Sequence, residues 1–224
     1  MIRLFVLITL FLLTSGVSYS QEKLRGYENG HEWVDLGLSV KWATCNVGAS
    51  FPGDYGSYFT WGETSSKCIY NEDNYRWWSK SANSWLNTLT KYYTNSYWGK
   101  VDNLTRLYPT DDAARINWRG RWRMPTASEF EELLDNCSWT WTTQNGHSGY
   151  KVRSKRNGNS IFLPAAGYRS GSSRYYVDSS GHYWSSILYT GNPYHAWYLI
   201  FYSSNSHLDN ISRDAGLTVR PVLE

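Results

Sequence analysis

Hydrophobic residues recur in this chain mainly at every second position, which is the period of β-strands. Residues 34–40 alternate apolar side chains with polar residues or glycine and predict a half-buried strand. Residues 150–153 and 160–163 flank Asn157–Gly158, a turn signal that predicts a β-hairpin. Residues 196–202 place Trp, Leu and Phe on one face and Tyr, Ile and Tyr on the other, which predicts another strand. Further strands are predicted at residues 58–61 and 217–222.

Helical signals are confined to two short segments near the middle of the chain. Thr110 can cap a first helix, with two aspartates in its opening turn at the positive end of the helix dipole. Thr126 and Glu129 form a capping box that predicts a second helix, which ends near Asn136. Because helices cluster in the first half, beside a loop-rich stretch, and strands cluster in the second, the pattern indicates an α+β fold. The side chains predicted to be buried on the second helix are Phe130, Leu133 and Leu134.

The N-terminus has the features of a secretory signal peptide. Arg3 precedes an apolar run over residues 4–13, and Ser18 and Ser20 are the small residues of a cleavage site before Gln21. The run is shorter than the roughly 20 residues of a membrane-spanning helix, and a buried N-terminal helix is the alternative. No later segment is long and apolar enough to predict a transmembrane span.

We therefore divide the chain into three parts. Residues 1–20 are predicted to be a signal peptide, residues 21–30 a short polar tether, and residues 31–224 a single domain. The mature protein is expected to be exported, to the periplasm, the cell surface or the extracellular medium.

The composition is rich in aromatic residues and nearly balanced in charge. The chain has 13 Trp and 19 Tyr, and its formal net charge is +3. So many aromatic side chains can bury enough apolar surface to offset conformational entropy, which excludes disorder. The densest basic stretch, Arg119, Arg121 and Arg123, alternates like the wet face of a strand, so nucleic acid is not an expected partner.

The three cysteines lack the spacing of a metal or redox site. No pair has C-x-x-C spacing. Because an exported protein meets oxidising conditions, we predict one disulfide, between Cys45 and Cys137, which both lie beside ordered, Trp-containing segments. Cys68 lies in a polar loop and is predicted to be a free thiol.

A series of motifs resembles the Fibrobacter succinogenes major paralogous domain, a family of exported proteins of Bacteroidetes. The resemblance covers roughly residues 31–222. The motifs are EWVDLGL (residues 32–38), KWATCNVGA (41–49), YGSYF (55–59), WGE (61–63), WRMPT (122–126), FLPAAGYR (162–169), YWSS (183–186) and VRPV (219–222).

A more distant resemblance links the chain to the formylglycine-generating (sulfatase-modifying) proteins. Residues 123–131, RMPTASEFE, are similar to the R-L-P-T-E-x-E-W-E signature of that family. The resemblance implies a C-type lectin-like fold. In such a fold, short helices pack on twisted antiparallel sheets, and long loops form one ligand-facing surface.

No catalytic constellation is evident in the sequence. The distant oxidase relatives bind copper through a pair of late thiolates, whereas this chain has no cysteine after Cys137. The five histidines lack metal-site spacing, and we expect no metal, no cofactor and no catalytic residue. The carboxylates of Asp54, Glu63 and Asp178 could pair as a glycosidase acid and nucleophile, so a glycan-acting enzyme stays an alternative.

The late loops have the composition of a binding surface, because Tyr offers stiff contact area while Ser and Asn adapt their hydrogen bonds. Residues 203–213 are read as one such loop. We predict a non-catalytic, adhesin- or receptor-like module that binds an extracellular protein or glycan. A structural subunit of a surface appendage is the other alternative. The residues predicted to contact the ligand are Tyr175, Tyr176, Tyr189, Tyr194, Asn205, His207, Asp209 and Arg213.

Overall fold

The computed structural model describes residues 24–79, 89–96 and 101–224. The predicted signal peptide at residues 1–20 lies outside the described residues. Short 3₁₀ turns occur at Glu72–Asn74 and Pro109–Asp111. The α-helices are α1 (Ala113–Trp118) and α2 (Ala127–Asn136). The strands are β1 (Arg25–Glu28), β2 (His31–Val34), β3 (Lys41–Ala43), β4 (Trp122–Arg123), β5 (Cys137–Gln144), β6 (His147–Ser154), β7 (Ser160–Pro164), β8 (Tyr168–Ser170), β9 (Ser173–Tyr175), β10 (Ser180–Leu188), β11 (His195–Tyr202), β12 (Asn205–Ser212) and β13 (Val222–Leu223).

These strands form four antiparallel sheets. The first has the order β1-β2-β3-β13-β4, so both ends of the described chain meet in it. Sheets β5-β6-β7 and β10-β11-β12 follow the chain order, and β8 pairs with β9 alone. The described part of the chain is thus mainly antiparallel β-structure with two short α-helices, and strands occur on both sides of the helical segment.

The N-terminal segment is a strand where a tether was predicted. Arg25–Glu28 pairs along its length with β2, and the turn between them is Asn29–Gly30. Asn29 has φ of 48° and Gly30 has φ of 83°, the left-handed backbone that such a hairpin turn needs. The prediction of a tether over residues 21–30 is therefore wrong for its described part.

Residues 34–40 do not form the predicted strand, because only Val34, the last residue of β2, is in a strand. Gly37 has φ of 69° and its N–H donates to the side chain of Asp35, which turns the backbone out of the extended form. Val34, Leu36 and Val40 are nevertheless buried. The alternating pattern marked core positions correctly, although the backbone between them bends.

The two helices begin at different kinds of cap. Asp112, not Thr110, caps α1, because its carboxylate accepts the N–H of Arg115. The capping box of α2 is confirmed: Thr126 accepts the N–H of Glu129, and Glu129 accepts the N–H of Thr126. On α2, Phe130 and Leu133 are buried and Leu134 is partly buried.

The β10-β11-β12 sheet separates two hydrophobic clusters. Tyr198 and Ile200 of β11 belong to the first cluster, which also contains the tryptophans of β4 and α1. Leu199 and Phe201 alternate with them and belong to the second cluster, which packs under α2. The hairpin predicted around Asn157–Gly158 is confirmed as β6 and β7. Within the described residues, no helix is both long and apolar enough to cross a membrane.

The three cysteines are all unpaired, so the predicted Cys45–Cys137 disulfide is wrong. Cys45 packs against the first hydrophobic cluster, and Cys137 belongs to the second. Each thiol is held by its own cluster, and the clusters lie on opposite faces of a sheet. Burial raises the pKa of the Cys137 thiol to about 11, which keeps it protonated and unreactive.

Candidate ligand-binding surface

Residues 203–213 are predicted to be a loop, but most of them belong to strand β12. Ser203 and Ser204 make a tight turn, and Asn205–Ser212 pairs with β11 over its whole length. Side chains that face each other across antiparallel strands lie on the same side of a sheet. One face of β10-β11-β12 therefore carries three rows: Ser180, Tyr202 and Asn205; His182, Ile200 and His207; Trp184, Tyr198 and Asp209.

Exposed tyrosines gather over one end of this face. The β8–β9 hairpin stacks Tyr168 on Tyr175, with ring centroids 5.4 Å apart, and Tyr176 lies 6.0 Å from Tyr168. Tyr202 lies on the same face, one row from His182, whose ring contacts that of Tyr168. The pKa of Tyr168 is raised by burial first and then by the hydroxyls of Tyr176, Tyr175 and Tyr202. Tyr175, Tyr176 and Tyr202 are 43%, 60% and 42% exposed. We call Tyr168, Tyr175, Tyr176 and Tyr202 the tyrosine surface.

A buried layer of rings supports the tyrosine surface. The His182 ring lies 5.1 Å from that of Tyr168 and stacks on Tyr198 at 5.6 Å with 7° between the planes. His182 Nε2 and the Ser180 hydroxyl are 2.9 Å apart. Burial lowers the pKa of His182 to about 4, so the ring is neutral at physiological pH. The support is therefore rigid and uncharged.

Polar side chains of β12, the edge strand of the sheet, lie on the same face. Asn205 and His207 are exposed on β12, and Asp209 is half-buried beside Tyr198, whose pKa it helps to raise after burial. Asp209 Oδ1 also accepts the N–H of Asn210 at 2.7 Å. Five of the eight predicted ligand residues, Tyr175, Tyr176, Asn205, His207 and Asp209, thus lie on one face of the molecule.

The other three predicted residues lie at the far end of the β11–β12 hairpin. Tyr189 packs edge-on against Trp197 at 5.0 Å. Tyr194 lies 5.7 Å from Trp78. Arg213 directly follows β12. The single predicted surface is therefore two separate regions, because a strand of eight residues lies between its two halves.

Arg213 is an interior residue, contrary to its predicted place in an exposed loop. It is 1% exposed, and its guanidinium donates to the Tyr75 hydroxyl at 2.9 Å and to three backbone carbonyls. The rings of Trp61, Tyr75 and Tyr92 lie 4.8, 5.3 and 5.8 Å from it. These contacts tie the end of β12 to distant loops, so Arg213 has a structural role.

A cavity of about 450 Å³ opens beside Arg213. We call it the cleft. Buried Tyr75 and Arg213 line its inner part, and Trp78, Leu89 and Tyr194 supply aromatic and apolar contact. The sequence did not indicate the cleft, because its residues come from segments that are far apart in the chain and lack periodicity. Its remaining lining residues are Glu72, His195, Ser212 and Asp214.

The carboxylates considered for catalysis each serve local structure. Asp54 accepts the N–H groups of Ser50 and Phe51. Glu63 bonds Lys67 and the N–H of Arg76. No cluster of three or more His, Cys, Asp or Glu that could hold a metal ion occurs within residues 24–79, 89–96 and 101–224.

Asp178 lies in a polar cluster next to the tyrosine surface. His147 Nδ1 is 2.7 Å from the Tyr55 hydroxyl and 3.6 Å from the Asp178 carboxylate. Asp178 also accepts the N–H of Ser148 at 2.9 Å. The cluster joins the β5–β6 hairpin to the segment after β9 and so helps to hold Tyr176 in place.

Comparison with known proteins gives one match, over the C-terminal part of the chain. Residues 138–222 match a family model described as a domain of unknown function (DUF8237). No curated protein matches the chain, and no solved structure matches it. The matched residues contain the whole tyrosine surface and β12.

Proposed function

We propose that this chain is an exported, non-catalytic binding module that recognises a glycan through the tyrosine surface. The observation that carries the proposal is the group of exposed tyrosine rings beside the polar side chains of Asn205, His207 and Asp209. We further propose a C-type lectin-like fold related to the Fibrobacter succinogenes major paralogous domain. The antiparallel sheets, the two short helices and the capping box inside the RMPT motif support this relationship.

The chemistry of the surface suits a sugar. Tyrosine rings present a flat face with negative character to the C–H groups of a pyranose, and they lose little conformational entropy on binding. Sugar hydroxyls need both donors and acceptors, which an amide, an imidazole and a carboxylate supply together. Asn205, His207 and Asp209 offer these three groups along one strand.

Rigid support favours specific recognition. Tyr168 rests on the neutral His182 ring, and His182 rests on Tyr198. Because these side chains are already ordered, binding a ligand costs less side-chain entropy. Three of the four residues of the tyrosine surface, Tyr168, Tyr175 and Tyr202, lie on strands, and Tyr176 directly follows β9.

A glycan array probed with the mature chain, residues 21–224, tests the proposal. We expect Tyr175→Ala and Tyr202→Ala to weaken binding of a captured glycan at least about tenfold, because a stacking ring is lost. Tyr27→Ala is the matched control, since Tyr27 is 72% exposed and lies on β1. Glycan binding that survives both surface substitutions would overturn the proposal. Binding to a protein alone would assign the surface to a protein partner instead.

Hydrolysis of the captured glycan would favour the enzyme alternative. The measurement is product analysis after incubation with the mature chain. We expect no cleavage, because Asp54 and Glu63 are engaged in local hydrogen bonds. The variant Asp178→Asn separates the two outcomes. It would abolish hydrolysis while glycan binding remains measurable if Asp178 were catalytic, whereas its contacts with His147 and Ser148 next to Tyr176 predict only weaker glycan binding.

A further inference from the structure

The cleft lies away from the tyrosine surface and has a different chemistry. It opens at the end of the β11–β12 hairpin where β11 begins, whereas Tyr202 lies at the other end. Trp78 and Tyr194 meet at 5.7 Å with their planes at 63°, and Leu89 adds an apolar side chain. A ligand that enters the cleft therefore meets two aromatic rings and an aliphatic side chain.

Two carboxylates face this apolar lining. Glu72 and Asp214 both line the cleft, and within the described residues neither forms a salt bridge with Lys or Arg. Partial burial of its carboxylate raises the pKa of Glu72, and the nearby charges of Asp214 and Asp73 raise it further. The Ser212 hydroxyl donates to Asp214, but this donor is neutral and does not cancel the negative charge of the carboxylate. Two close carboxylates repel each other unless a cation lies near them.

Arg213 also lines the cleft, but within the described residues it forms no salt bridge with Glu72 or Asp214. Four of its N–H groups are used by the Tyr75 hydroxyl and by the carbonyls of Tyr92, Pro193 and Lys91. Its flat faces are occupied by aromatic rings. Arg213 is thus held in the interior, where its positive charge offsets one of the two carboxylates, and the lining of the cleft keeps a net negative charge.

The protein already holds an alkylammonium group with the same combination of groups. Lys91 Nζ lies 4.9, 5.0 and 4.7 Å from the rings of Trp77, Tyr92 and Tyr108. It also bonds the carboxylate of Asp111 at 2.5 Å. Aromatic rings attract a cation through their negative faces, and a carboxylate adds a charge-assisted hydrogen bond.

We infer that the cleft binds the cationic side chain of a lysine or arginine presented by a peptide. The methylene stem would contact Trp78, Leu89 and Tyr194, and the charged end would lie between Glu72 and Asp214. A lysine or arginine is favoured over an amino sugar, because sugar hydroxyls would meet the apolar lining without hydrogen-bond partners. This inference does not depend on the glycan proposal, since the two sites share no residue.

Titration of the mature chain with Nα-acetyl-lysine amide and Nα-acetyl-arginine amide, followed by ligand-observed NMR, tests the inference. We expect dissociation constants on the order of 1 mM for such small probes. Nα-acetyl-norleucine amide has a similar apolar stem without the charge and should bind at least about tenfold more weakly. Equal binding of the norleucine probe, or no binding of either cationic probe, would overturn the inference.

Substitutions locate the site. Glu72→Gln should weaken the lysine probe about tenfold, because one of two facing charges is removed. Asp73→Asn is the matched control, since Asp73 is an exposed neighbour that does not line the cleft. Because Glu72 is exposed, thermal melting of Glu72→Gln should match that of the unmodified chain. Tighter binding of glucosamine than of the lysine probe, or of calcium ion alone, would also overturn the inference.

Discussion

Arg213 and Tyr176 have the opposite burial from that expected for a charged and an aromatic side chain. Arg213 is charged and 1% exposed, whereas Tyr176 is aromatic and 60% exposed. A buried guanidinium is stable only when its donors are satisfied, and Arg213 has one hydroxyl and three carbonyls as acceptors. An exposed tyrosine has no such requirement and stays available for a ligand.

Arg213→Ala is expected to lower the free energy of unfolding by about 3 kcal/mol or more. The substitution removes four charge-assisted hydrogen bonds and leaves their buried acceptors unpaired. Urea denaturation measures the loss. Arg121→Ala is the control, because that side chain is 63% exposed and its salt bridge with Glu28 is screened by water, so the loss should be much smaller. Similar losses in the two variants would contradict the structural role of Arg213.

His182 is expected to make stability fall as the pH is lowered from about 6.5 to about 4. The pKa of its ring is about 4 in the folded chain, below the ordinary value of 6.5. Between these pH values the unfolded chain binds a proton that the folded chain excludes, so acid favours unfolding. The full effect is about 3 kcal/mol. Above pH 6.5 the ring is neutral in both states and the contribution does not change.

Melting temperatures between pH 7.5 and pH 4 test this dependence. His182→Phe keeps an aromatic ring against Tyr198 and removes the titration, so its melting temperature should fall less on acidification. Parallel curves for the two proteins would show that His182 does not carry the effect.

At the scale of elements, helix α2 depends on interactions between neighbours in the sequence, whereas strand β12 depends on pairing with another strand. Helix α2 begins at a capping box that involves only Thr126 and Glu129, and its sequence predicts it. Strand β12 carries apolar residues at Leu208 and Ile211, which do not have the period of a strand. Its conformation follows from pairing with β11, which the local sequence does not encode.

Gly167 is expected to be needed for the placement of the β8–β9 hairpin. Its φ is 61°, and a Cβ atom there would lie far inside contact distance of the Tyr175 carbonyl oxygen. Gly167→Ala should therefore cost well over about 2 kcal/mol in thermal unfolding and weaken glycan binding. Gly146→Ala is the control, because φ is 83° but nothing lies within 4 Å of the added Cβ. That variant should lose about 1 kcal/mol and bind normally.

At the scale of the whole molecule, the β10-β11-β12 sheet divides the protein. Its two faces support separate hydrophobic clusters, which hold Cys45 and Cys137 apart. The tyrosine surface and the cleft lie at opposite ends of the β11–β12 hairpin. As proposed, the separation of the two sites would let the protein engage a glycan and a basic peptide at the same time.

The unpaired thiols lead to a prediction about redox behaviour. Reductant should leave the melting temperature unchanged, because no disulfide stabilises the fold. In alkylation experiments on the folded chain, Cys68 should react first, since it is exposed, and Cys137 last, since it is buried with a pKa of about 11. Mass spectrometry of peptides without reduction checks both points, and a Cys45–Cys137 peptide pair would contradict them.

The sequence predicted those features that depend on neighbours along the chain. The capping box of α2, the hairpin at Asn157–Gly158 and the strand at residues 196–202 each rest on residues a few positions apart. The proposed ligand residues on β9 and β12 were predicted from composition, because Tyr beside Ser, Asn and His is typical of binding surfaces. The composition did not predict which other residues lie beside them in the fold.

Tertiary structure decided which of these residues lie together. The pairing of β11 with β12 aligned Asn205, His207 and Asp209 beside the tyrosine rings, and it moved Tyr194 and Arg213 to the other end of the hairpin. The cleft joins Glu72 to Asp214, which are far apart in sequence. By itself the sequence determined the local turns, the helix cap and the supply of aromatic side chains, because short-range hydrogen bonds and side-chain volume are properties of the chain. The location of each site required the register between strands, because register depends on the burial of both faces of a sheet at once.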